Sequence, residues 1–167
     1  NTSGFESQDT LRKLNGKVQI YLPDLKYSDD KLAIKYSNAP YYFRIATDAI
    51  KEMYRQVGDY KINNDGIMES GVIIRHLIMP GYLENSKKVI DWVAQNFKPG
   101  QVMFSLMHQY VPCGRAEEFP EINRKVTAEE YAEIEQYLMD SGIEDGFVQE
   151  EEAACTEFIP CFDGTGV

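Results

Sequence analysis

Cysteine is scarce in these 167 residues: Cys113, Cys155 and Cys161 are the whole set. An odd, widely spaced set argues against a disulfide framework and for a reducing, cytoplasmic compartment. No two cysteines stand as C-x-x-C or C-x-x-x-C. His76, His108, Asp24 and Cys113 carry metal-ligating atoms, but their spacing matches no short zinc pattern. Cys113 and Cys161 read as inert thiols, since a nucleophile needs a nearby base and a lowered pKa. There is no Lys/Arg cluster, and the formal net charge is −10, which excludes a general nucleic-acid binder. No run approaches the ~18 apolar residues of a membrane span. Asn1 onward lacks the positive and apolar regions of a signal peptide. The acidic excess sits in Glu117–Glu118, Glu129–Glu135 and Glu150–Glu152 and reads as solvated surface.

What is present is a globular composition, 43% hydrophobic, long enough for one domain spanning 1–167. "GKVQIYLPDLKY" (16–27) reads as a strand with Val18, Ile20, Leu22, Asp24 and Lys26 on one face. "YYFRIATDAIKEMYRQV" (41–57) reads as a helix, with Tyr42, Ala46, Ala49, Ile50, Met53 and Val57 at helical spacing. "GVIIRHLIMPG" (71–81) reads as a strand buried on both faces and stopped by Pro80-Gly81. A helix follows at 85–97 with Val89, Ile90, Val93 and Phe97 inward, then a strand at 101–110. Residues 127–142 form a helix opened by a Thr127/Glu130 capping box, with Gly142 just past its end. "GFVQEEE" (146–152) is a last short strand. The alternation predicts an α/β fold, a parallel sheet with right-handed crossover helices. Four strands are too few for a closed (β/α) barrel, which needs eight strands and about 250 residues. A barrel-like architecture would be missing half; the pattern alone also allows a small open sheet.

Polar residues collect where these strands end, the edge at which parallel α/β proteins bind ligands. Asp24 and Lys26 end the first, Arg75 and His76 interrupt the second, Ser105, His108 and Gln109 lie late in the third, and Gln149 and Glu150 end the fourth. Burying Asp24, Lys26 and Arg75 unpaired would cost several kcal/mol. The alternative to a ligand is an internal ion pair of Asp24 with Lys26 or Arg75. Arg75 and His76 must face opposite sides of their strand, which makes His76 a satisfied histidine under a helix rather than a catalyst.

Taken in order, "NTSGF", "LPDLKYS", "YRQVG", "GVIIRHLIMPG", "SLMHQYVP", "GFVQE" and "FIPCFDGTGV" resemble the C-terminal part of the radical S-adenosylmethionine proteins of the pyruvate formate-lyase activating enzyme type. The resemblance implies the C-terminal half of a partial TIM-like (β/α) barrel. In that family an earlier C-x-x-x-C-x-x-C loop holds a [4Fe–4S] cluster, and reduction of bound S-adenosylmethionine yields a 5′-deoxyadenosyl radical. Activating enzymes use the radical on a backbone glycine of a partner, a glycyl radical enzyme. By the resemblance Asn1 and Thr2 match an Asp-Thr-Asn-Gly segment, Asp24 and Lys26 match a shared "DLK", and Arg75 matches an R-[YH]-x-V-x-P-G strand. Asn1, Thr2, Asp24, Lys26 and Arg75 then face the cofactor, with Lys26 the catalytic candidate. Asn1 replaces an Asp that helps hold a monovalent cation, which removes charge from that site. Phe162, in Ile159-Pro160-Cys161-Phe162, replaces a His that contacts the substrate peptide region.

The chain therefore reads as the rear part of a longer protein, starting after the cluster loop. No metal or cofactor is expected on this chain alone, and it is expected to be inactive. A strand edge near Val18–Asp24 is expected to lie unpaired and to promote self-association. The other reading is a stand-alone α/β binding or scaffold domain. A metal-dependent hydrolase using His76 and His108 is weaker still.

Overall fold

The apolar run in the middle of the chain becomes the centre of the sheet, and helices cover one of its faces. The computed structural model describes residues 1–148. In chain order these form α1 (Gln8–Leu14), β1 (Ile20–Tyr21), α2 (Asp30–Ser37), α3 (Tyr42–Val57), β2 (Lys61–Ile62), β3 (Met68–Leu77), α4 (Leu83–Asn96), β4 (Met103–Met107), a 3-10 turn (Gly114–Glu118), α5 (Ala128–Asp140) and β5 (Gly146–Val148). The strand order is β1-β3-β4-β5, all parallel, so the predicted α/β class with crossover helices is the observed one. Among the described residues this is an open sheet, consistent with part of a TIM-like barrel.

Alternation along β3 separates two environments. Val72, Ile74 and His76 are fully buried towards the helices, while Ile73, Arg75 and Leu77 are only half-buried on the other face. Phe104 and Leu106 of β4 join the helix-side core with Ala46, Ile50 and Met53 of α3, Val89 and Ile90 of α4, and Ile134 of α5. Trp92 of α4 packs edge-on to Phe43 (6.2 Å) and Phe97 (5.8 Å) in the same layer. The reading of β3 as buried on both faces is corrected by this asymmetry.

Other expectations need correction. The first strand is regular only at Ile20–Tyr21, although its parallel ladder continues as single bridges, Thr2 with Pro23 and Asp24 with Arg75. Pro23 has no N–H to give, so the ladder thins there. The edge expected to be bare at Val18–Asp24 is covered at its end: Thr2 N–H donates to Leu22 O, and Asp24 N–H donates to Thr2 O. β3 starts earlier and ends earlier than the 71–81 run, because β2 folds back antiparallel onto its first residues. The helices α1 and α2 and the strand β2 were not anticipated. The capping box of α5 is present, and its Glu130 also accepts from Gly81 N–H (2.8 Å) and pairs with Arg124. Arg124 first, with the backbone amides, holds the Glu130 carboxyl down to about 2. Gln149, Glu150, Cys155, Cys161, Phe162 and the end of the last predicted strand lie outside the described residues.

Candidate functional site

The segment Asp24–Ser28 leaves the sheet at the carboxyl end of β1, and most of its polar backbone groups are hydrogen-bonded. Leu25 N–H donates to Arg75 O (2.8 Å). Lys26 N–H donates to the Tyr42 hydroxyl, which lies within donating distance of both Asp24 O and Ser3 O. Asn85 closes the segment from α4: its Oδ1 accepts from Ser28 N–H (2.7 Å), and its Nδ2 donates to Lys26 O (2.9 Å). His76 Nδ1 donates to Leu25 O (2.7 Å), and the Ser86 hydroxyl donates to its Nε2 (2.8 Å). A carbonyl can only accept, so Nδ1 carries the proton. Complete burial, chiefly, pushes the His76 pKa down to about 4. At neutral pH it is an uncharged clamp, as its place under a helix implies. Gly4 lets the first residues approach closely: at φ +79° a Cβ there would sit 2.3 Å from Asp24 O.

On this rigid backbone stands a charged cluster. Arg75 Nη2 donates to Asp24 Oδ1 and to Asn1 Oδ1, each at 2.5 Å. Lys26 Nζ lies 3.3 Å from Asp24 Oδ2. The predicted site residues Asn1, Asp24, Lys26 and Arg75 are thus brought together, and the internal ion pair considered as an alternative is formed twice over. Thr2 joins them through the backbone, and its Oγ1 accepts from Gly4 N–H (3.0 Å). One carboxylate faces two cations, so the cluster carries a local charge of about +1 within an acidic protein. Arg75 Nε is buried without a hydrogen-bond partner among the described residues. Such a donor costs about 1–3 kcal/mol unless an acceptor arrives.

A cleft of 530 Å³ opens beside the cluster, at the carboxyl ends of β1, β3 and β4. Asp24 and Lys26 form one end, Leu77 and Met79 the floor, and residues 109–122 the roof. The roof is tied to α2 across 86 residues of sequence by Lys35–Glu121, and Glu121 also accepts from the Tyr36 hydroxyl (2.8 Å). Lys35 is the main cause of the fall of the Glu121 carboxyl to about 2.

Other candidates lie apart. Ser105 is buried beside Arg75 in register. Gln109 and the exposed Cys113 line the cleft. The His108 ring sits 4.4 Å from that of Tyr131, with neither nitrogen hydrogen-bonded among the described residues. A metal site using His76 is contradicted, because both its nitrogens are engaged. Among the described residues no group of three or more His, Cys, Asp or Glu is placed to hold a metal ion. No described helix is long and apolar enough to cross a membrane. Sequence reasoning missed Asn85 and the site role of Tyr42. The signal was a polar pair, Asn85-Ser86, in helical register with buried Val89 and Ile90.

The fold is an α/β sheet with a charged cluster and a cleft at the carboxyl edge of its strands. No family model matches the chain. It is 32% identical over 139 residues to the uncharacterized protein MJ0674 of Methanocaldococcus jannaschii. That match covers 83% of this chain but 36% of the relative, so the chain spans about a third of the relative's length. Among solved structures, the fold is shared with a domain of pyruvate-formate lyase-activating enzyme from Bacteroides vulgatus. The TM-score is 0.58 at 15% identity, covering 86% of this chain and 75% of that one.

Proposed function

We propose that this chain is the rear part of a longer radical S-adenosylmethionine protein of the activating-enzyme type, and that its charged edge forms one wall of the cofactor pocket. The observation that supports this most directly is the Asn1–Arg75–Asp24–Lys26 cluster, which the motif resemblance assigns to the cofactor and which stands at the ligand-binding edge. These residues suit the methionine end of the cofactor. Lys26 adds an ammonium beside the Arg75–Asp24 pair, and a carboxylate is the group such a net positive cluster attracts. Asp24 and Asn1 together hold Arg75 Nη2, and Thr2 locks the strand carrying Asp24. Lys26, half-exposed at the border with the cleft, is the residue best placed to touch substrate.

A [4Fe–4S] cluster does not fit the described residues, and the C-x-x-x-C-x-x-C loop is not in this sequence. The cluster and cofactor together supply one-electron chemistry for hydrogen abstraction; this chain's residues bind and orient. On this reading the longer protein works in a reducing cytoplasm on a glycyl radical enzyme or another substrate, and the isolated chain is inactive. The isolated chain also self-associates through the sheet edge beside β1, upstream of the Thr2 bridge.

The test is anaerobic expression of a longer gene product carrying the cluster loop, reconstitution with iron and sulfide, and measurement of 5′-deoxyadenosine after dithionite reduction, with the 167-residue chain as control. Product from the longer form, reduced at least tenfold by Arg75→Ala, is the expected result. No product from a demonstrably clustered long form, or a gene product without a cluster loop, overturns the reading in favour of a non-catalytic binding domain.

A further inference from the structure

The cleft beside Lys26 differs in chemistry from the charged cluster it adjoins. Its walls include Tyr27, Tyr36, Tyr110, Phe119, Met79 and Ile122. The three tyrosine hydroxyls are all turned onto protein partners: Tyr27 to Ser37 (2.8 Å), Tyr36 to Tyr82 and Glu121, and Tyr110 to Ile122 O (2.9 Å). What these residues present to the cleft is therefore ring carbon. Burial pushes the Tyr110 phenol up to about 12, in keeping with an apolar wall.

Polar groups with capacity to spare are few. The Asp24 carboxylate is taken by Arg75 and Lys26. The Arg115 guanidinium on the rim pairs with Glu118 through Nε and Nη2 and is otherwise open to solvent. Among the described residues Lys26 Nζ has one ion-pair partner, Asp24, and it is the cation left over when the charges of Asp24 and Arg75 cancel. Its side chain is 42% exposed, so the ammonium can meet a ligand without being drawn out of the core. The cleft volume of 530 Å³ is within the ordinary range for small-molecule sites.

We infer that this cleft binds an aromatic or branched apolar carboxylate, with the apolar body between the tyrosine rings and Phe119 and the carboxylate on Lys26. The inference deepens the proposed function by naming the substrate class at that site. It rests on the reading of this edge as the ligand-binding end, and its test does not depend on radical chemistry. A free aryl carboxylate and the carboxyl terminus of a peptide ending in an aromatic residue share this chemistry.

The probes are 3-phenylpropionate, its neutral counterpart 3-phenylpropanol, and a blocked-amine dipeptide ending in phenylalanine. Each is titrated into the isotopically labelled 167-residue chain and followed by amide chemical shifts. 3-Phenylpropionate is expected to shift Lys26, Tyr110 and Phe119 saturably and to bind at least tenfold more tightly than the alcohol. Lys26→Met should abolish that tenfold preference while leaving alcohol binding unchanged, and Lys26→Arg should restore it. Tighter binding of the dipeptide than of the free acid assigns the site to a protein terminus; the reverse assigns it to a small molecule. Absence of saturable shifts, equal affinity for acid and alcohol, or a preference unaffected by Lys26→Met overturns the inference. Carboxylate binding here without 5′-deoxyadenosine from the longer protein would retain this site and remove the radical reading.

Discussion

The buried His76 should make the fold sensitive to mild acid. In the native chain its pKa is about 4, against an ordinary 6.5, because burial disfavours the imidazolium. Its unfolded form therefore binds the proton more readily. The stabilisation is present in full above pH 6.5 and is lost as pH falls through 6.5 towards 4. A depression of this size corresponds to about 3 kcal/mol over the window, with a steepest slope near 1.4 kcal/mol per pH unit. That is a large share of the roughly 5–15 kcal/mol by which a domain is stable. Carboxylates held near 2, such as Glu121 and Glu130, contribute stability that is lost only as pH falls below their ordinary value of 4.5. The two effects separate in pH. The assay is urea unfolding followed by circular dichroism at a series of pH values between 7 and 4.5, comparing the native chain with His76→Phe. The variant leaves Leu25 O and the Ser86 hydroxyl without their partner and should be less stable by about 1–3 kcal/mol per orphaned group at neutral pH. Its loss on acidification should nevertheless be shallower than that of the native chain. The ring-proton resonances of native His76 give an independent reading and should not titrate above pH 5. Parallel acid profiles, or titration of this ring near 6.5, would refute the argument.

Replacing Asp24 by Asn leaves Arg75 and Lys26 facing each other without their shared carboxylate. With Lys26 partly solvated, the loss should be about 2 kcal/mol, below the range for a fully buried pair, and is read from urea midpoints. Gly4→Ala combines a positive φ with a Cβ set against Asp24 O. A loss of about 1–3 kcal/mol follows, with shifts at the Lys26 and Tyr42 amides as the local signature. Thr127→Ala removes half of the α5 capping box and should lower stability by about 1 kcal/mol in the same assay, with no change at the cleft.

Much of this arrangement is legible before any coordinates. Period-two alternation suffices to part Arg75 from His76, and desolvation logic then demands partners for Asp24. Helical spacing likewise marks the inward faces of α3 and α4. The elements that escaped are short. Asp29 before α2 and Ser7 before α1 are good N-caps, but seven- and eight-residue helices show too few turns for periodicity to stand out. The hairpin of β2 and β3 had a turn signal in Asn64-Asp65-Gly66, masked by the apolar run that follows. The cleft roof was out of reach for a different reason. Residues 109–122 have no regular period, and their position is set by single side-chain ties such as Lys35–Glu121, which no local pattern encodes. Asn85 shows that a polar residue on an apolar helix face is informative in itself: it must satisfy something, and here it satisfies the backbone of Lys26 and Ser28.

The placement of Trp92 has a spectroscopic consequence. It is the sole tryptophan, wedged between Phe43 and Phe97 on the helix side, with the Lys51 ammonium 5.6 Å from its ring. The charged cluster and the cleft open at the carboxyl edge, and Trp92 is not among the cleft's lining residues. Emission excited at 295 nm (roughly the red edge, where tyrosine hardly absorbs) therefore reports whether α3 and α4 are docked on the sheet, and hardly responds to what occupies the cleft. Of the eleven tyrosines, Tyr27, Tyr36 and Tyr110 line the cleft, so tyrosine signals carry information from that edge as well as from the core. One chain thus carries a tryptophan channel confined to helix docking, separate from the cleft edge, without any label.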